Sequence, residues 1–94
     1  MEGDLELHER ALAYYVYILR CADATLYTGI TTDMQRRVKE HNNSPKGAKY
    51  TKARRPVTLV YSELHPDKSR ALQREYKIKK LTKMQKEKLL EESK

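Results

Sequence analysis

The run Tyr14 to Cys21, YYVYILRC, constrains this chain more than any other stretch. Aromatic and β-branched residues follow one another there without the polar alternation of a half-exposed strand. That pattern suits a strand covered on both faces, which must lie inside a sheet and between two layers. Ninety-four residues leave room for one domain with one such sheet and two or three helices. The first partner strand follows at once. Ala22, Asp23 and Ala24 form a short turn, and Thr25 to Ile30, TLYTGI, reads as the second arm of a hairpin. Phe and Trp are absent and all 7 aromatics are Tyr, so Tyr, Leu, Ile and Val must fill the core.

The remaining elements follow from caps and spacing. Thr31, Thr32 and Asp33 are N-cap candidates for a helix to about His41, with Met34 and Val38 four apart as its apolar stripe. Asn42 to Pro45 end it. Lys46 to Pro56, KGAKYTKARRP, has no apolar period and reads as a long exposed loop. Val57 to Leu64 is a third strand. Pro66 and Asp67 open a helix to about Lys80, and Thr82 caps a last one over Lys83–Glu92 with Met84, Leu89 and Leu90 as anchors. The order is β-β-α-β-α-α, which packs as an α+β layer with a three-stranded, mostly antiparallel sheet flanked by helices. Residues 14–92 form this single domain, and residues 1–13 read as a polar leader, disordered or at most a short helix.

Charge narrows the partners. The chain carries 20 Lys+Arg against 13 Asp+Glu, a net +7, and the excess lies entirely in the second half, from Lys46 onward. A polyanion is the expected partner, although membrane-surface and ribosomal proteins share such a balance. No apolar run is long enough to span a membrane, and the acidic N-terminus lacks the order of a signal peptide. Cys21 is the only cysteine, which excludes an internal disulfide and a Cys-rich zinc site and fits the cytoplasm.

Several residues could carry chemistry, each with a plainer reading beside it. Glu75 falls between Ala71 and Ile78 on one side of its helix and Leu72 and Tyr76 on the other, so a carboxylate sits mid-stripe. It either pairs with Lys79 at i, i+4 or binds a metal. Arg37 and His41 share a helix side and are either solvated or set to meet phosphate and move a proton. Tyr17 and Tyr27 are core tyrosines, or they pair across the turn with both hydroxyls on one face and with the space left by Gly29 beside Tyr27. Lys46, Lys49, Lys52, Arg54 and Arg55 surround Tyr50 and either keep the chain soluble or bind a nucleic-acid backbone, with Tyr50 offering a stacking surface.

Taken in order, these residues resemble the GIY-YIG nuclease superfamily. Val16-Tyr17 is similar to its first motif, with Tyr15 where Gly usually stands. Tyr27-Thr28-Gly29 is similar to its second, and Arg37 follows Tyr27 at the family's offset. YVYILRC, LYTGIT, GAKYT, RRP and LVYSE further resemble its short, single-domain, bacterial-type branch. The resemblance implies a metal-dependent endonuclease that hydrolyses phosphodiester bonds. Tyr17, Tyr27, Arg37 and His41 would be catalytic and Glu75 would hold one Mg²⁺ or Mn²⁺. His41 would position phosphate or relay a proton, and Tyr27 is slightly favoured over Tyr17 as the group that activates water. DNA is favoured over RNA as substrate, with a homodimer or a protein partner supplying targeting. The same fold could instead serve as a non-catalytic nucleic-acid-binding module or an accessory subunit. The family's late Asn is missing, since Asn42 and Asn43 come too early.

Overall fold

The computed structural model describes residues 13–93; the leader read over residues 1–13 lies almost wholly outside them. Strands β1 (Tyr14–Arg20), β2 (Leu26–Thr31) and β3 (Thr58–His65) form one antiparallel sheet in the order β2-β1-β3. The central place of β1 explains its sequence: Val16, Ile18 and Leu19 are fully buried, and Tyr17 is 1% exposed. Alternate residues serve two cores. Val16 and Ile18 pack with Ala71, Ile78 and Leu90 on one face. Tyr17, Leu19 and Cys21 pack with Val57, Tyr27, Met34 and Val38 on the other. Each large aliphatic side chain so buried stabilises the fold by about 1.5–3 kcal/mol.

Helix α1 (Met34–Asn43) covers the Tyr17 face, with the Asp33 side chain accepting from the Arg36 N–H as its N-cap. Helix α3 (Lys68–Lys79), capped by Asp67, and helix α4 (Lys83–Glu92), opened by a Thr82/Gln85 capping box, serve the Val16 face. Between Ile18 and Leu19 the pairing with β3 shifts register: Ile18 faces Tyr61, Leu19 faces Leu59, and Val60 is the extra residue of a bulge. The bulge moves Leu59 to the side of α1, where it meets Met34 and Val38 across a shallow groove.

Three expectations are corrected. The 46–56 segment is not simply a loop, because Lys49–Lys52 form a helical turn, α2, with Thr51 fully buried. Its single turn is too short to show an apolar period. Met84 does not anchor α4, being 83% exposed, and Leu90 fills that role. On α3 only Ala71 and Ile78 are buried, whereas Leu72 and Tyr76 face solvent. Glu75 therefore lies at the margin of the buried face and not at its centre.

Candidate active site

The hairpin register decides which tyrosine meets Gly29. Tyr17 pairs with Gly29 and Leu19 with Tyr27, so the two tyrosines are diagonal neighbours on one face, with ring centroids 6.5 Å apart. The open space at Gly29 belongs to Tyr17, not to Tyr27 as expected: a Cβ there would lie 2.5 Å from the Tyr17 Oη. The phenol lies across the glycine and reaches α1, where its hydroxyl is 2.7 Å from His41 Nε2.

His41 is fully buried. Its ring meets those of Tyr17 and Tyr27 edge-on, at 5.8 and 5.2 Å, and its Nδ1 is 2.7 Å from the Thr51 hydroxyl. Burial first, and then the charges of Arg37 and Arg55, pull its pKa from 6.5 to about 4, with Glu40 opposing. The ring is therefore a neutral imidazole near pH 7. Being fully enclosed, it cannot position a phosphate itself; of the two roles expected, only proton relay through a neighbour suits its place.

Arg37, one turn earlier, is held from two sides. One guanidinium nitrogen donates to Glu40 Oε1 and to the Lys46 carbonyl, both at 2.9 Å. It also stands beside the Tyr17 hydroxyl and acts on it. Burial pushes the Tyr17 pKa up to about 12, with Arg37 pulling it down and the neighbouring Tyr27 and Glu75 adding to the rise. Tyr17, Tyr27, Arg37 and His41 thus come together at one face, and all but buried His41 and Tyr17 keep partial access to solvent.

Glu75 comes to that group from the other layer. Its helix covers the opposite face of the sheet, and its carboxylate pairs with Lys79 at 3.3 Å, the plainer reading of the i, i+4 spacing. Its charge nevertheless registers at the Tyr17 hydroxyl. At the edge of β2, Leu26, Tyr27, Thr28 and Tyr50 share a pocket of about 230 Å³ with Lys79 and Lys86. Thr28 presents a hydroxyl buried without a hydrogen-bond partner among the described residues. No group of three or more His, Cys, Asp or Glu side chains could hold an ion among the described residues. An ion would have Glu75 alone from the expected set. One carboxylate fits Mg²⁺, which keeps several waters and takes phosphate oxygens.

The basic segment divides by role. Lys46, Lys49 and Lys52 are exposed, with the Lys52 ammonium near the Pro45 carbonyl at 3.3 Å. Arg55 does not face outward. It donates to the carbonyls of His41 (2.6 Å), Glu40 (3.2 Å) and Ser44 (2.6 Å), satisfying the C-terminal end of α1. Arg54 pairs with Asp23 at 3.0 Å and lies 3.8 Å over the Tyr50 ring, which also stacks on Tyr27 at 6.0 Å. Tyr50, 37% exposed, is thus already engaged by two neighbours. Asn42 clamps Val57 through two hydrogen bonds, to its N–H at 2.7 Å and its carbonyl at 3.0 Å. Thr51, Glu40 and the capping role of Arg55 escaped sequence reasoning. The only local signal was a small β-branched residue set among cations.

A family model described as the GIY-YIG catalytic domain matches residues 13–88. A UPF0213 protein of Desulfotalea psychrophila is 57% identical over 81 residues, covering 86% of this chain and 74% of its own. One of Staphylococcus haemolyticus is 54% identical over 79 residues, covering 84% and 95%. The solution NMR structure of a UPF0213 protein from Bacillus halodurans superposes with a TM-score of 0.56 at 48% identity, over 85% of this chain and 84% of that one. A second solution structure, of a protein from E. faecalis, also gives 0.56, at 42% identity and 82% of each chain.

Proposed function

The chain belongs to the GIY-YIG family, a nuclease family, and from that premise we propose that it is a metal-dependent endonuclease that hydrolyses phosphodiester bonds. The observation that supports this best is the convergence of Tyr17, Tyr27 and Arg37 around buried His41, beside an exposed row of Lys46, Lys49 and Lys52. The lysines lead a polyanion to the face, DNA in preference to RNA, through contacts that release counterions and ignore sequence. Arg37, fixed by Glu40 and the Lys46 carbonyl, presents a charge that cannot be lost at the phosphate undergoing attack. Tyr27 is the phenol open to solvent, and we assign its oxygen to the attacking water. Tyr17, almost without exposure, supports Arg37 from behind. Glu75 holds the ion, with Lys79 giving up its pair. A bound Mg²⁺ supplies neutralisation at the phosphate and at the leaving oxygen. We place the protein in the cytoplasm, with a second copy or a protein partner supplying targeting.

A non-catalytic binding module is the rival reading, and the Glu75–Lys79 pair favours it. The two part in one assay. Wild-type protein is incubated with single-stranded, duplex, flap and junction substrates, DNA and RNA, with Mg²⁺ or with a chelator. Cleavage of at least one substrate only with the metal is expected. Binding without cleavage across the panel would replace the enzyme by the module.

A further inference from the structure

Thr51 has no part in the mechanism above, yet it is fully buried at the inner end of a file of hydrogen bonds. Its hydroxyl is 2.9 Å from the Ala48 carbonyl and 2.7 Å from His41 Nδ1. Two oxygens 2.9 Å apart repel unless a proton lies between them, and only the threonine has one to give, so that proton goes to Ala48, whose carbonyl also takes the Lys52 N–H at 3.0 Å. The contact with His41 must then be the ring N–H donating to Thr51. With Nδ1 protonated and the imidazole neutral, Nε2 is bare, and the 2.7 Å contact there is the Tyr17 hydroxyl donating inward. The lone pairs of the Tyr17 oxygen are thereby turned toward the charge of Arg37, which has only donors to offer and gives its bonds to Glu40 and the Lys46 carbonyl. The other tautomer would break this order at both ends. An Nε2–H would donate to Tyr17 and turn the phenol proton out toward the guanidinium, while Nδ1 would draw the Thr51 proton away from Ala48.

We infer that Thr51 is a positioning residue that fixes His41 as the Nδ1–H tautomer and so makes the Tyr17 hydroxyl a donor inward and an acceptor toward Arg37. The inference rests on the functional reading of Tyr17 and Arg37 given above. It also assigns a purpose to α2. The single turn that displays Lys49 and Lys52 is tied through Thr51 to the residues behind the site, so the polyanion-binding segment and the Tyr17–Arg37 pair share one support.

Nitrogen-15 NMR of the imidazoles near pH 7.5, without nucleic acid, reads the tautomer directly, with His41 assigned by loss of its signals in His41→Gln. Wild type and Thr51→Ser are expected to show a protonated Nδ1 and a bare Nε2. Thr51→Val, which keeps the shape and removes the hydroxyl, is expected to populate the Nε2–H form. Its metal-dependent cleavage should fall on the order of 10²-fold, and Thr51→Ser should restore it. Wild-type His41 protonated on Nε2, a folded Thr51→Val with an unchanged tautomer, or a reversed tautomer with undiminished cleavage would each overturn the inference. Should Thr51→Val fail to fold, the wild-type and Thr51→Ser spectra still decide it, since both must show Nδ1–H. A wild type that cuts nothing contradicts only the nuclease reading, because the tautomer is measured without substrate.

Discussion

Replacing Gly29 by alanine drives a methyl group into the Tyr17 phenol. The added Cβ would stand 2.5 Å from Oη, 2.7 Å from Cζ and 3.1 Å from Cε2, where ordinary contact is about 3.5 Å. A phenyl ring cannot flex, and this one is 1% exposed, shut in by Leu19, Tyr27 and His41. It must shift by roughly 1 Å, the difference between those separations. A shift of that size cannot leave the 2.7 Å contact with His41 at its present geometry. Forcing the ring off its seat costs about 1–3 kcal/mol, and leaving the two buried groups unpaired costs about as much again. Together they give roughly 2–6 kcal/mol, a fall of at least about 8 °C in thermal midpoint for a domain of this size. Thermal and urea unfolding of the four proteins in a Gly29→Ala, Tyr17→Phe cycle test this. In the Phe background the nearest clashing atom and the hydrogen bond are already gone, so Gly29→Ala should cost less there by about 1 kcal/mol or more. A Gly29→Ala protein within about 2 °C of wild type would refute the seating of Tyr17 over this glycine.

Acid should weaken the fold through His41. Its pKa drops from 6.5 to about 4 on folding, so the unfolded chain binds the extra proton; stability holds above pH 6.5 and is lost as pH falls toward 4, by up to about 3 kcal/mol. Urea midpoints of wild type and His41→Gln across that window check it, and equal pH slopes would contradict it. Arg55→Ala should lower the thermal midpoint, at a cost of about 1–2 kcal/mol of stability, because the His41 carbonyl loses its partner while the Glu40 and Ser44 carbonyls keep the Ser44 and Gly47 N–H groups. Lys49→Ala and Lys52→Ala should leave the midpoint almost unchanged but flatten the salt dependence of nucleic-acid binding, as paired melts and salt titrations would show. Thr28→Val removes a buried hydroxyl without a partner among the described residues and should raise stability by about 1 kcal/mol; a drop in urea midpoint would reveal a partner for that hydroxyl.

Where physical signals are local, the sequence was readable. The two-sided burial of β1 is written in YYVYILRC, and Asp67 and Thr82 cap the helices they were expected to cap. Four of the five proposed site residues meet because a hairpin puts Tyr17 and Tyr27 on one face and a helix turn puts Arg37 and His41 above it. What stayed hidden depends on long-range partners. Arg55 looks identical to Arg54 in the chain, yet one caps α1 and the other pairs with Asp23 over Tyr50. Thr51 sits in a four-residue helix, too short for any period to mark its inner side. Glu75 appeared to lie within an apolar stripe, but half of that stripe, Leu72 and Tyr76, faces solvent.

Glu75→Gln bears most directly on the proposed reaction, because the change removes the carboxylate charge and keeps its shape. The side chain is 17% exposed and its partner Lys79 is 53% exposed, so losing the pair should shift stability by no more than about 1 kcal/mol in either direction. The decisive measurement is the Mg²⁺-dependent cleavage rate of this variant beside wild type, with thermal midpoints taken on the same samples. Collapse of cleavage in a protein that melts with wild type and still binds nucleic acid is the expected result. A Glu75→Gln protein that cuts at the wild-type rate would leave Glu75 a structural partner of Lys79 and end its assignment as the metal ligand.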